Sequence, residues 1–306
     1  MKLAVIGRTA IVLSAATLAL KQGHTIGCVI TANPAPEYLA GLKEFREFAD
    51  SLRVPFLATS RLQEASDVLQ ATECDLAISM NFPTMIRREQ IDNFRLGILN
   101  LHGGDLPRYR GNACQAWALL NAETRIGLCV HKMEADQLDS GNIIAREYKN
   151  VDINTKIGDV IEWIRSVGPL LLMEAVSHLG RDAGFVLEKQ SSRPEDSLRC
   201  YPLRPEDGRI EWRNDAADIL RRINAFNHPY EGAFCHLDGE TVRLWHAEIV
   251  DDAEVFCAIP GQITQLGADF VDVACGRGKL RLREVGVSGV SCSPNTIIRS
   301  IRQRLG

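Results

Sequence analysis

The sequence predicts an α/β fold in which a domain built on a parallel β-sheet is followed by a smaller, β-rich domain. In the first half of the chain, short apolar segments alternate with longer amphipathic segments. A polar stretch then interrupts this pattern, and beyond it short strands alternate with glycine-containing turns. With 306 residues, the chain is long enough for two domains that each bury a core of their own.

Strands and helices follow one another in order through the predicted first domain, residues 1–190. The predicted strands cover residues 3–6, 24–30, 54–57, 75–80, 127–133 and 142–147. The predicted helices cover residues 10–22, 37–52, 63–71, 113–121 and 156–179. This alternation favours a parallel sheet with right-handed crossover connections.

Residues 191–203 form the predicted linker, because they are polar and contain Pro194 and Pro202. In the predicted second domain, residues 204–306, apolar residues at helical spacing indicate a helix from Ala216 to Phe226. Short strands follow it, at 233–237, 241–247 and 270–274. Short strands separated by tight turns are typical of a small β-barrel.

Composition excludes several classes of protein. The formal net charge of −4 provides no overall positive field for binding nucleic acid. The nine cysteines include no Cys-x-x-Cys pair, so we expect reduced thiols in a cytoplasmic protein and no metal site. Arg8 interrupts the apolar N-terminal segment, so we expect a buried strand and a helix there, with no leader and no membrane partner.

The loop after the first strand argues against a nicotinamide dehydrogenase. Gly7 is followed by Arg8 and Thr9, and the second and third glycines of a Gly-x-Gly-x-x-Gly loop are missing. Those glycines let the backbone approach a pyrophosphate.

A cluster of polar residues follows the apolar segment Ile98–Leu99. Asn100 and His102 are two residues apart, so a strand would point both side chains to one side. Asp139, in a loop after a later strand, can supply a third group. A carboxylate fixes the tautomer of an imidazole, and an amide donates to an oxyanion. Without a central serine or cysteine, these groups favour direct acyl transfer to an external amine.

Each of these three residues also has a purely structural interpretation. Asn100 could cap the end of a strand, His102 could be a buried structural histidine, and Asp139 could simply form a turn. Their combination in one long pattern, Asn-x-His-Gly-Gly-x-Leu-Pro-x-Tyr-Arg-Gly followed by Leu-Asp-Ser-Gly, favours a catalytic site.

This pattern resembles the signature of the 10-formyltetrahydrofolate-dependent formyltransferases. The resemblance extends to segments 204–212 and 228–234, and it implies a Rossmann-like catalytic domain followed by an OB-like β-barrel. It assigns the catalytic roles to Asn100, His102 and Asp139. It also implies that 10-formyltetrahydrofolate lies between two segments, with these cofactor-binding residues: Met80, Asn81, Phe82, Ile86, Ala135, Asp136 and Leu138. The sequence departs from the family at Gly103-Gly104-Asp105, which leaves the catalytic residues intact.

The resemblance does not determine the acceptor, which could be a nucleotide-linked amino sugar or the initiator tRNA. A third alternative is a non-catalytic binding module that has no acceptor. Residues 31–38 lack the basic insertion by which the tRNA enzymes hold their substrate, so we expect a nucleotide sugar. Its diphosphate needs only one or two cations, and the candidate substrate-binding residues are Arg8, Tyr109 and Arg110. Sugar enzymes of this family are often homodimers, and the resemblance implies the same here.

Four cations, Arg277, Lys279, Arg281 and Arg283, alternate with other residues near the C-terminus. On a strand they would all lie on one face. Such a face is usually solvated, and we expect this here; the alternative is a set of phosphate contacts, which would make binding steeply salt-dependent.

Overall fold

The computed structural model describes residues 1–35, 38–251 and 254–306. The chain divides into two compact units. The first contains Met1–Cys114, Ile126–Lys149 and Glu162–Cys200; the second contains Gln115–Arg125, Asn150–Ile161 and Tyr201–Gly306. Two short segments that precede Cys200 in the sequence therefore belong to the second unit.

The described residues up to Cys200 form nine strands: β1 (Lys2–Gly7), β2 (Thr25–Thr31), β3 (Phe56–Ala58), β4 (Leu76–Met80), β5 (Ile98–His102), β6 (Tyr109–Gly111), β7 (Arg125–Lys132), β8 (Ile143–Asn150) and β9 (Leu198–Cys200). Across all described residues, the α-helices are α1 (Ala10–Lys21), α2 (Leu42–Leu52), α3 (Ser66–Thr72), α4 (Arg88–Ile91), α5 (Cys114–Leu120), α6 (Ile157–Arg181) and α7 (Ala216–Ala225).

Seven of these strands form one sheet in the order β3-β2-β1-β4-β5-β7-β8. The strands from β3 to β5 are parallel, as predicted. The residues of β1, β4 and β5 are almost all buried, as expected for parallel strands that are covered on both faces.

The predicted parallel sheet is confirmed from β3 to β5, and the sheet is mixed beyond them, because β7 runs antiparallel to β5. In this register Cys129 of β7 lies beside His102 at the end of β5. The end of β7 lies beside the start of β5, where the N–H of Met133 donates to the carbonyl of Ile98 at 2.8 Å.

Two predicted helices differ from the observed ones at their N-terminal ends. The helix predicted from residue 37 begins at Leu42; Glu37 itself lies outside the described residues. The helix predicted at 63–71 begins as a 3₁₀ turn, Leu62–Ala65, before α3. Among the described residues, no helix is long and apolar enough to cross a membrane.

The segment predicted as the linker includes β9, which pairs in parallel with β6. In this register Gly111 lies beside Cys200, and its φ of +108° suits glycine. A Cβ at Gly111 would lie 2.4 Å from the Cys200 carbonyl oxygen. The first unit therefore extends to Cys200.

The second unit contains an antiparallel sheet built from β10 (Ala233–Leu237), β11 (Glu240–Val250), β12 (Ile263–Leu266), β13 (Val271–Ala274), β14 (Lys279–Val287) and β15 (Val290–Cys292). β10 and β12 lie at opposite ends of the strand path. The C-terminus joins them: Gly306 and His236 exchange two backbone hydrogen bonds of 2.9 and 2.7 Å, and the N–H of Leu305 donates to Gly261 at 2.9 Å. These bonds connect the sheet edges in a barrel-like arrangement.

Candidate active site

A cavity of about 220 Å³ opens in the first unit beside the central strands. Its walls come from the segment after β4, the end of β5, and the loop between β7 and β8. The lining residues include three that we predicted for catalysis and four that we predicted for cofactor binding: Asn100, His102, Asp139, Asn81, Phe82, Ile86 and Leu138. Sequence positions far apart thus meet at one concave surface.

Asn100 and His102 lie on β5, and both are buried. The His102 Nε2 lies 2.8 Å from the carbonyl oxygen of Tyr109, and its Nδ1 lies 3.5 Å from Oδ2 of Asp139. Both ring nitrogens therefore face oxygen acceptors. The imidazole can therefore be held in place by hydrogen bonds at both nitrogens.

Asp139 contacts His102 although β7, the strand before Asp139, ends beside the start of β5 and His102 lies at the end of β5. The loop after β7 returns along the sheet, and the carboxylate of Asp139 ends with only 10% of its side chain exposed. Its Oδ2 also accepts a hydrogen bond of 3.0 Å from the N–H of Gly111. Burial alone would raise the pKa of Asp139, but the His102 charge, contact with His131 and the Gly111 bond hold this pKa well below its ordinary value.

His131 is a member of this cluster that the sequence did not reveal to us. Its Nε2 lies 3.1 Å from Nδ2 of Asn100 and 3.4 Å from Oδ1 of Asp139. His131 pairs with Asn100 across the antiparallel strands, so both side chains lie on one face. The contact between His131 and Asn100 can be predicted from the sequence only if β7 is taken to run antiparallel to β5.

A second set of contacts holds the loop that carries Asp139. The side-chain amide of Gln190 donates to the carbonyls of Asp139 at 2.9 Å and Gly141 at 2.7 Å. Arg110 donates to the Gln190 oxygen from Nη2 at 2.8 Å, and to the carbonyl of Ser191 at 3.2 Å. Arg110 is outside the residues that line the cavity. Its contacts connect the β6 segment to the Asp139 loop.

Arg8 lies beside the cavity and binds backbone oxygens. Its Nε donates to the carbonyl of Asn81 at 2.6 Å and its Nη1 to the carbonyl of Asn33 at 3.1 Å. The guanidinium also lies 5.5 Å from the centre of the Tyr38 ring. The hydroxyl of Tyr38 in turn accepts a hydrogen bond of 2.8 Å from the Asn81 amide.

The remaining predicted site residues lie outside the cavity lining. Met80 and Tyr109 are buried, and Tyr109 contributes its backbone carbonyl to His102. Ala135 is buried, whereas Asp136 is exposed in the loop before Asp139.

Asp105, at the position where the sequence departs from the family pattern, contacts Arg146 on β8. Nη1 of Arg146 lies 2.5 Å from Oδ1 of Asp105, and Nη2 donates to the carbonyl of Leu106 at 2.7 Å. The hydroxyl of Tyr148 reaches the same carboxylate oxygen at 3.2 Å. Asp105 therefore takes part in an ion pair that fixes the loop after His102.

In the second unit, three cations of the predicted basic row are paired with carboxylates. Arg281 makes a two-pronged contact with the buried Asp272, at 2.8 and 2.9 Å. Lys279 binds Glu254 at 2.6 Å, and Arg283 lies 3.4 Å from carboxylate oxygens of Glu248 and Asp269. Arg277 lies before β14 and is exposed. The carboxylates neutralise three cations of the row, which argues against a row of phosphate contacts. The face is not simply solvated, as we expected, because Lys279 is buried.

Two family models match the sequence: formyl transferase over residues 1–176, and formyl transferase, C-terminal domain, over residues 202–300. The chain is 30% identical over 225 residues to methionyl-tRNA formyltransferase of Ralstonia nicotianae, covering 74% of this chain and 67% of that protein. It is 28% identical over 281 residues to methionyl-tRNA formyltransferase of Geobacter metallireducens, covering 89% and 86%.

Solved structures share the fold at low sequence identity. The N-formyltransferase from Helicobacter canadensis, in complex with folinic acid and dTDP-3-aminofucose, has a TM-score of 0.71 at 16% identity, over 92% of this chain and 99% of that one. WlaRD, a sugar 3N-formyl transferase, has a TM-score of 0.69 at 16% identity, over 92% and 97%.

HypX from Aquifex aeolicus, in complex with tetrahydrofolic acid, has a TM-score of 0.65 at 14% identity. The match covers 98% of this chain and 47% of HypX, so the chain spans about half the length of that protein. Since the first family model covers more than half of the sequence, this protein belongs to the formyl transferase family and is a formyltransferase.

Proposed function

We propose that this protein transfers a formyl group from 10-formyltetrahydrofolate to the primary amine of a nucleotide-linked amino sugar, of the kind built into surface polysaccharides. The arrangement that carries the proposal is the cluster of Asn100, His102 and Asp139 at the wall of a cavity. The cluster contains donors for an oxyanion and a carboxylate that holds the imidazole.

The cavity walls fit the formyl donor, which has a flat ring system with polar edges. Phe82, Ile86, Met133 and Leu138 supply apolar surface for the ring faces, and Asn81 supplies polar groups for the edges. Ala135 and Asp136 lie in the same loop as Leu138. Solved relatives of the same fold bind tetrahydrofolic acid or folinic acid, which supports the assignment.

In the proposed reaction, the acceptor amine attacks the formyl carbon and the formyl oxygen gains negative charge. The Asn100 amide and the imidazolium of His102 donate hydrogen bonds to that oxygen. For this, the Nε2–H of His102 exchanges the Tyr109 carbonyl for the substrate. His102, held by Asp139, then gives this proton to the departing nitrogen of the folate, and the neutral imidazole that results takes up the proton that the amine loses. Each oxyanion donor is expected to contribute about 10²–10³ in rate.

The charge distribution supports a small acceptor. The basic row on β14 faces carboxylates of its own unit, so it presents fewer cations to a polyanion than the sequence suggested. Arg8 binds the carbonyl of Asn81, a residue of the cavity wall, so its charge lies close enough to serve a diphosphate. Arg110 binds Gln190, which holds the Asp139 loop, so we assign it an indirect role.

Methionyl-tRNA formyltransferase is the second candidate, because curated relatives of this chain carry that name. It requires a surface that holds tRNA. Residues 31–38 contain no basic residue, although the tRNA enzymes carry a basic insertion there.

An acceptor screen with 10-formyltetrahydrofolate tests the proposal. The purified protein is offered dTDP-, UDP- and GDP-linked amino sugars in parallel with charged initiator tRNA, and release of tetrahydrofolate is followed. We expect turnover with at least one amino sugar. Formylation of the tRNA alone would establish the second candidate. Binding of folate without turnover on any acceptor would indicate a non-catalytic module.

A further inference from the structure

We propose that His131 is a positioning residue that sets the direction of the Asn100 amide. As a neutral imidazole with its hydrogen on Nε2, it donates to the side-chain oxygen of Asn100, so that the Asn100 NH₂ group faces the cavity. This inference rests on the proposed function only for its catalytic consequence, because the protonation state of His131 can be measured without any acceptor.

The strand register fixes where His131 lies. Asn100 on β5 and His131 on β7 are direct partners in the antiparallel pairing. Such partners have their side chains on one face of the sheet, a few ångströms apart. The His131 side chain is only 2% exposed, and water has little access to its ring. Its interactions are therefore those with its neighbours in the protein.

The neighbours of Nε2 favour a hydrogen on that atom. Nε2 lies 3.4 Å from Oδ1 of Asp139 and 3.1 Å from the Asn100 amide. The carboxylate of Asp139 is ionised, since the His102 charge and its hydrogen bonds outweigh the effect of burial on its pKa. A lone pair on Nε2 would face this negative oxygen and be repelled, whereas an N–H would be attracted.

The other ring nitrogen, Nδ1, favours the same protonation state. It is buried and has no hydrogen-bond partner among the described residues. A buried N–H group without an acceptor is rare in proteins, whereas an unused acceptor is tolerated more often. Nδ1 therefore carries the lone pair, and His131 is neutral with its single hydrogen on Nε2.

The direction of the Asn100 amide follows from this tautomer. The oxygen and NH₂ ends of an amide have nearly the same shape, so their hydrogen-bond partners determine which end lies where. In the structure, Nδ2 of Asn100 faces Nε2 of His131. If Nε2 carries a hydrogen, the amide must be turned by 180°, so that its oxygen accepts from Nε2. The NH₂ group is then the end away from His131, and because Asn100 lines the cavity, it can donate to the formyl oxygen there. In the opposite arrangement the amide oxygen would repel that oxygen.

Wild-type protein tests the tautomer directly. In ¹⁵N-labelled protein, the two ring nitrogens of His131, assigned by comparison with His131→Gln, are measured at neutral pH. We expect a protonated Nε2 and an unprotonated Nδ1. A hydrogen on Nδ1, or on both nitrogens, would overturn the proposal. This result is independent of which acceptor is used, so it separates failure of the inference from failure of the proposed function.

Kinetics test the positioning role with whichever acceptor the screen identifies. We expect His131→Leu, which lacks a donor, to lower kcat about 100-fold while KM for the formyl donor stays within threefold. His131→Gln, which keeps an N–H donor, is expected to recover most of this loss. Asn100→Ala combined with His131→Leu should be no slower than Asn100→Ala alone. The proposal would be contradicted if the losses in kcat of the two single variants multiplied in the double variant. It would also be contradicted if the kcat of His131→Leu stayed within threefold of wild type.

Discussion

The carboxylate of Asp139 and the imidazole of His102 lie 3.5 Å apart, although the strand before Asp139 ends beside the start of β5 and His102 lies at the end of β5. The loop that closes this distance is held by Gln190 and by the backbone N–H of Gly111. The charge contact therefore depends on the loop conformation, and changes at Asp139 should affect both stability and catalysis.

Asp139→Asn should lower the free energy of unfolding by roughly 2–3 kcal/mol at pH 7, because the lowered pKa of Asp139 stabilises the folded state above the ordinary carboxyl pKa. This contribution is lost as pH falls through the folded-state pKa. The difference between wild type and variant should therefore shrink below about pH 4. Urea unfolding at a series of pH values measures it.

Asp136→Asn is the matched control for this substitution. Asp136 is exposed in the same loop and also has a positive φ, which asparagine tolerates. Its effect should stay within about 0.5 kcal/mol at every pH. If Asp139→Asn lowered the free energy of unfolding by the same amount at every pH, or if both substitutions lowered it equally, the charge contact between Asp139 and His102 would not be its cause.

Asp105→Asn should weaken the fold but leave the choice of acceptor unchanged, because Asp105 is bound by Arg146 and Tyr148. The Arg146 side chain is only 11% exposed, and we expect a loss of about 1–3 kcal/mol in the free energy of unfolding. Thermal unfolding and the KM of the acceptor are measured together. Asp218→Asn, which breaks an exposed pair with Arg221, serves as the control. A change in acceptor preference on Asp105→Asn would mean that this residue contacts the acceptor.

Arg281→Gln should destabilise the second unit, since it leaves the buried carboxylate of Asp272 without its two-pronged partner. A loss of about 3–5 kcal/mol is expected from breaking such a pair. The KM of the acceptor and its salt dependence should not change. If the variant weakens acceptor binding and lowers the salt slope by about one, β14 contacts phosphates after all. Arg277→Gln, at an exposed position, provides the comparison.

Thiol labelling of the native protein should modify Cys257 quickly and Cys292 more slowly. Cys257 is exposed, Cys292 is half-buried and the other seven cysteines are buried. Burial raises the pKa of Cys235 and of Cys275 to about 12, which removes the reactive thiolate at neutral pH. Mass spectrometry after a short reaction with a maleimide identifies the sites, and Cys257→Ser should abolish the fast phase. Rapid modification of any buried cysteine would contradict the burial of that thiol.

Local patterns were sufficient for much of the fold. The apolar segments of β1, β4 and β5 and the spacing of Asn100 and His102 are visible in the sequence, and the structure places both side chains in one cluster. The antiparallel course of β7 was not visible, because a short strand has the same alternation in both directions. That is why the contact between His131 and Asn100 was missed.

Polar residues were harder to interpret than apolar ones, because their partners are distant in sequence. Arg110 appeared suited to a phosphate, but Gln190, 80 residues later, accepts two of its hydrogen bonds. Arg281 alternates with apolar residues as any solvated strand does, and only the folded sheet reveals Asp272 beside it. The stretch predicted as a linker contains β9 because β6 offers it a partner.

The proposal that Asn100 and His102 carry formyl transfer is tested most directly by the turnover of Asn100→Ala and His102→Ala. Release of tetrahydrofolate is measured with a saturating acceptor, and folding of each variant is verified by its unfolding midpoint. We expect each substitution to lower kcat by about 10²–10³, since each removes a donor to the developing oxyanion. Turnover within about tenfold of wild type for both folded variants would show that the reaction does not depend on these two side chains.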